Sequence, residues 1–170
     1  MDNFILRADV ENSFIDYILS PFGDDLRAKC TELFNKPLVI GQHIDFWSIS
    51  EDKNVNALLN MYCDSATHSE TESNFIMVFT FETLREYEDN LLKTDTTDNV
   101  WREILRPKTE EFMGLVRKTF SDMLLDNGIN GHKRFKIVEI ITSEPPLQAD
   151  TTIQQDMGIE ISLEKCLLNQ

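Results

Sequence analysis

The stretch NVWREILRPKTEEFMGLVRKTFSDMLLDNGINGHKRFKIVEII, from Asn99 to Ile141, decides how the chain folds. From Phe112 onward its apolar positions are Phe112, Leu115, Val116, Phe120, Met123 and Leu124. That spacing places them on one face of a helix. Glu110, Glu111, Arg117, Lys118, Ser121 and Asp122 fall on the opposite face, toward water. Asn127-Gly128 is the expected stop, because glycine accepts the left-handed conformation that ends many helices. Asn130-Gly131 continues the turn, and Arg134 to Thr142 reads as a strand. Phe135, Ile137 and Ile141 are expected on one face of that strand, Val138 and Ile140 on the other. Apolar residues on both faces suit an interior strand.

Working upstream, Pro107 either kinks the helical pattern or opens the main helix from its first turn. In the second case Glu110 and Glu111 lie in early turns, where the helix dipole favours them. Leu84, Tyr87 and Leu91 mark a short helix, followed by a polar connector from Lys93 to Asn99 in which Asp98 is a candidate cap. Asn74 to Phe81 is a strand with Phe75, Met77, Phe79 and Phe81 on one face and Ile76 and Val78 on the other, which again reads as interior. Asn56 to Cys63 fits both the helical and the strand period. The polar loop expected at Asp64–Ser73 and the strand after it favour a strand, and so a hairpin. Leu38 to Ile49 reads as a further strand, with Gly41 a candidate bulge, Phe46 and Trp47 on opposite faces, and a polar turn at Ser50–Asn54.

The chain begins with a short arm over 1–8. A helix from Ala8 or Asp9 to about Leu19 turns Val10, Phe14, Tyr17 and Ile18 inward. Ser20-Pro21-Phe22-Gly23 is read as a break, with a single kinked helix as the alternative. Asp24 is expected to cap a second helix carrying Leu26, Cys30, Leu33 and Phe34 on one face, closed by Pro37. Downstream, Ser143 to Asp156 holds two prolines and no periodicity, the mark of a long functional or mobile loop. Met157 to Glu164 alternates cleanly: Met157, Ile159, Ile161 and Leu163 inward, Gly158, Glu160, Ser162 and Glu164 outward. The sum is one α+β domain over 1–170, a mainly antiparallel sheet with the N-terminal helices and one long helix packed on one face.

Charge narrows the function. Thirty Asp and Glu against 16 Lys and Arg give a net charge of -14. That argues against binding nucleic-acid backbone or anionic lipid, and fits a basic partner or a surface that repels DNA. No Lys or Arg lies between Ile137 and Glu164, where Glu139, Glu144, Asp150, Asp156, Glu160 and Glu164 do. Arg102, Arg106, Lys108, Arg117, Lys118, Lys133, Arg134 and Lys136 form the one basic concentration, read as pairing with surplus acids within the chain or across an interface. Cys30, Cys63 and Cys166 are odd in number and widely spaced, as reduced core thiols are. The N-terminus lacks the basic start and apolar run of a signal peptide, and no stretch is long enough for a membrane helix.

No catalytic constellation stands out. His43, His68 and His132 form no ligand pair, and the acidic set lacks calcium-loop spacing. There is no nucleophile elbow, P-loop or dinucleotide fingerprint. The glycines at 128 and 131 follow a helix, so they make a turn and not an anion site. Asp24-Asp25 and Glu110-Glu111 read as helix starts. Trp47 and Trp101 read as core or interface anchors. The expectation is a protein that is not an enzyme, with no catalytic residue, metal or cofactor.

The order of parts is helices over 9–35, strands over 38–81, the Pro107–Leu125 helix, then two strands joined by the 143–156 loop. It resembles the tail-terminator or tail-completion (head-tail connector) family of tailed bacteriophages. The resemblance implies a structural virion subunit, assembled in the host cytoplasm, that closes into a homo-oligomeric ring capping the tail tube. It implies contacts with other neck or tail proteins, DNA passing an acidic lumen without binding, and no membrane. The interaction residues expected on that basis are Glu144, Pro145, Pro146, Leu147, Asp150, Asp156 and Glu160, with Trp101. The second reading is an acidic immunity or inhibitor-type protein that covers a basic partner.

Overall fold

The computed structural model describes residues 5–44, 57–84, 101–141, 147–148 and 152–164. Helix α1 (Arg7–Leu19) buries Val10, Phe14, Tyr17 and Ile18, the face its spacing predicts. The Asp9 carboxylate accepts the Leu6 N–H at 2.6 Å and so serves an otherwise unsatisfied donor at the helix start. The break at Ser20 is real: a single 3₁₀ turn, Pro21–Gly23, separates α1 from α2 (Asp24–Phe34). Asp24 is the first residue of α2 and not its cap; its carboxylate holds Arg27.

Strand β1 (Leu38–Gln42) is shorter than the sequence suggests. It ends because His43 takes a φ of 58°, left-handed backbone that no strand continues through. Gly41 is not a bulge, since β1 pairs with the next strand in unbroken parallel register. Its role is a dent: a Cβ there would lie 2.6 Å from Ile44, which folds back over it. The Asn60 side chain clamps that return, accepting the Ile44 N–H at 3.0 Å and donating to the Ile44 carbonyl at 2.6 Å.

The ambiguous segment is a strand. β2 (Ala57–His68) and β3 (Glu72–Leu84) form a hairpin, and both run into the region expected to be a polar loop. Only 69–71 turn, with the Ser69 hydroxyl accepting the N–H groups of Thr71 and Glu72. A bulge between Cys63 and Ser65 had hidden the alternation. Leu84 belongs to β3 and not to a helix. The readings that rest on Phe46, Trp47, Ser50–Asn54, Tyr87, Leu91 and Asp98 lie outside the described residues.

A π-helical turn (Trp101–Leu105) leads into α3 (Arg106–Asp126), so Pro107 sits in the first turn as the second reading proposed. Glu110 and Glu111 lie past that turn and pair with Arg106 and Lys29 instead of the helix dipole. The helix stops as expected. Asn127 and Gly128 both donate to the Met123 carbonyl at 2.9 Å, with Gly128 at φ 64°. Asn130 (φ 51°) and Gly131 (φ 80°) then make a tight turn closed by two 2.9 Å bonds between Ile129 and His132.

Strand β4 (Phe135–Ile141) is the main correction. The sheet order is β1-β2-β3-β6-β4, so β4 lies at an edge and not inside. Its extra apolar residue is a bulge: Val138 has no partner between Ile137 and Glu139 and is 52% exposed. The bulge shifts the alternation, so Phe135, Ile137 and Ile140 share the core face. The expected 143–156 loop is also shorter than predicted. β5 (Leu147–Gln148) pairs with the start of β6 (Thr152–Glu164). All thirteen residues of β6 pair with the thirteen of β3, from Thr152 opposite Leu84 to Glu164 opposite Glu72.

Two aromatic triads fasten the helices to one face of this sheet. Phe14 of α1, Phe79 of β3 and Phe120 of α3 meet with ring centroids 5.1–5.4 Å apart. Phe34 at the end of α2, Phe81 and Phe112 repeat the arrangement at 4.7–6.0 Å. Each such pair adds about 0.5–1.5 kcal/mol beyond its area burial. Helices on one face of a mainly antiparallel sheet make the α+β architecture.

Candidate functional site

The face of the sheet turned away from the helices carries the negative charge. Alternation puts Asn74, Ile76, Val78 and Thr80 of β3 there, beside Asp156, Gly158, Glu160, Ser162 and Glu164 of β6. Apolar residues in the middle are half-buried, and acids stand around them. Glu72 lies directly opposite Glu164, and Glu139 directly opposite Glu160. Like charges across a strand pair repel, so the placement of Glu72 opposite Glu164 does not serve stability. Glu72 is held by neutral donors, Asn74 at 3.3 Å and Ser162 at 3.4 Å. Asp156, Glu160 and Glu164 make no ion pair among the described residues.

One cation, Lys136, shares this face, opposite Ser162, and most of the others lie elsewhere. On the helical layer Lys29 reaches Glu32 at 3.2 Å and Glu111 at 3.4 Å, Arg106 reaches Glu110 at 3.2 Å, and Lys118 reaches Asp122 at 3.0 Å. Arg106 and Lys118 thus make the in-chain pairs expected of the basic concentration, of which Lys29 was not a part. Lys133, Arg134 and Lys136, at the start of β4, make no ion pair among the described residues.

Of the expected interaction residues, Asp156 is exposed and Glu160 half-buried, both on β6 and on the outer face. They stand four residues apart on that face, joined by strand and not by loop. Leu147 lies on the backbone of β5 and Trp101 on that of the π-helical turn. Glu144, Pro145, Pro146 and Asp150 lie outside the described residues. What the sequence reading passed over is the pair of sheet edges, β1 and β4. The signal for the β4 edge was present in Lys133, Arg134 and Lys136, since lysine at a strand start is a common edge marker.

The described chemistry-bearing residues sit in structural roles. Burial pushes the Cys30 thiol up to about 12, and burial together with Glu11 pushes Cys63 up to about 11, so neither is a ready thiolate. Burial, then Asp126 beside it, raises Tyr17, whose hydroxyl donates to that carboxylate at 3.3 Å. His68 Nδ1 lies 2.9 Å from the hydroxyl of Ser73, its cross-strand partner, which is buried. His43 stacks on Tyr62 at 4.8 Å, and His132 lies in the turn before β4. Among the described residues no group of three His, Cys, Asp or Glu could hold a metal ion, and no helix is long and apolar enough to cross a membrane.

No protein-family model matches the chain, and comparison with curated proteins finds no match.

Proposed function

We propose that the chain is a structural subunit of a tailed-phage particle, of the tail-terminator or head-tail connector kind, which closes into a ring between head and tail. The observation that carries this reading is a sheet whose helices cover one face and whose two edge strands have no outer partner among the described residues. Such a sheet can continue from subunit to subunit. The acids of β6 support the same reading. Asp156, Glu160 and Glu164 would keep a passing polyanion from adhering, by the electrostatics that makes basic grooves bind it. In this role shape and surface potential do the work, and no side chain makes or breaks a bond.

Negative-stain microscopy and light scattering of the purified chain, alone and with a tail-tube protein, test the proposal. Rings or tube-capping particles are the expected result. A monomer under both conditions that instead captures a basic nuclease or toxin would replace it with the inhibitor reading.

A further inference from the structure

Resting on the ring reading above, we propose that copies join edge to edge, the β4 edge of one chain pairing antiparallel with the β1 edge of the next. The strand directions permit this joint. β1 is parallel to β2, while β2–β3, β3–β6 and β6–β4 are each antiparallel, so the two edge strands run in opposite directions. A second copy set beside the first in the same sheet therefore meets it with an antiparallel pair.

The β1 edge is built to accept a strand. The Pro37 carbonyl takes the Ala57 N–H and the His43 N–H reaches the Met61 carbonyl, both at 3.0 Å, so odd-numbered residues face β2. Leu38, Ile40 and Gln42 thus turn their backbone N–H and C=O groups to the open side. No charge and no bulge, the devices by which proteins usually close an edge, interrupts Leu38–Gln42, whereas β4 is bulged at Val138, which leaves Phe135–Ile137 as its regular stretch for the joint.

Charge fixes which strand fits. β1 ends beside Glu11, whose carboxylate accepts the Gln42 amide and the Cys63 N–H, both at 2.7 Å. Exposed Asp64 lies on β2 at the same end, and Arg7 on α1 leaves that end net negative. Antiparallel pairing brings the start of β4 to the end of β1. It brings Lys133 and Arg134, which lack ion pairs among the described residues, to the end that holds these carboxylates; Lys136, opposite Ser162, lies on the outer face.

Sedimentation velocity of the full chain over a range of concentration and salt tests the joint. The variants are Ile40→Pro, which removes an outward N–H, and Lys133→Glu/Arg134→Glu. The control, Lys108→Glu/Arg117→Glu, changes net charge equally on α3. The wild type and the control should assemble, less so in high salt, and both edge variants should dissociate at least tenfold more readily with unchanged circular dichroism. Assembly that persists in both edge variants would overturn the joint and leave the ring reading standing. An oligomer lost in Ile40→Pro alone would mean β1–β1 pairing and would also overturn it. A wild type that stays monomeric throughout would remove both.

Discussion

The two faces of the sheet are made from the same strands and could hardly differ more. On β3, Phe75, Met77, Phe79 and Phe81 are fully buried under the helices, while Ile76, Val78 and Thr80 between them are half-exposed. On β6, Met157, Ile159 and Ile161 lie in the core, while Asp156, Glu160 and Glu164 face the other way. Stability is concentrated on one face. The other packs only a small cluster of Leu58, Val39 and Leu84 among the described residues, and beyond it carries charge in arrangements, such as Glu72 opposite Glu164, that a stability-driven surface would avoid.

Phe14→Ala attacks the packed face where three rings meet. It should cost about 3–5 kcal/mol in urea denaturation, against under about 1.5 for Val78→Ala on the open face. Equal costs would mean the two faces are equally packed and would break the contrast. Gly128→Ala strains the turn that carries α3 into β4. At φ 64° a side chain costs about 1–2 kcal/mol, and its Cβ would also lie 2.0 Å from the His132 carbonyl, so the loss should exceed that of Gly131→Ala, where the space is open.

Titration separates the faces again. The packed side holds its thiols neutral: Cys30 is pushed from 9.0 up to about 12. The folded chain then keeps a proton that the unfolded chain gives up. The stabilisation is whole below pH 9 and is lost as pH rises toward 12, by about 1 kcal/mol at pH 10. Urea midpoints from pH 8 to 10.5 should fall, and Cys30→Ala should flatten that slope. The smallest effect belongs to the open face. Glu164→Gln should change stability by no more than about 0.5 kcal/mol, in the stabilising direction, and salt should erase it. A destabilisation there would show that Glu164 has a favourable partner.

Legibility followed packing. The inward residues of α1, most of those of α3 and those of the Met157–Glu164 half of β6 could be read because nearly all their buried positions are apolar. The first half of β6 could not, because Gln155 points into the core and interrupts the alternation. Thr109 and Thr119 were missed for a related reason. Their hydroxyls bond to the Leu105 and Leu115 carbonyls at 2.8 and 2.7 Å, so they bury as if apolar. In β4 the bulge at Val138 made an edge strand look two-sided. Glu160 was correctly turned outward, but of the two sheet edges only β4 left a local mark, the lysines at its start, because strand order depends chiefly on contacts between distant segments.

The turn over Asn127–Arg134 has a mechanical consequence. It binds β4 to the end of α3 through bonds to Met123 and between Ile129 and His132, with little slack. A tug on the outermost strand is therefore delivered to the longest helix, whose Phe112 and Phe120 are wedged among the rings of both triads. The outermost strand and the longest helix are thus tied into one unit of the fold.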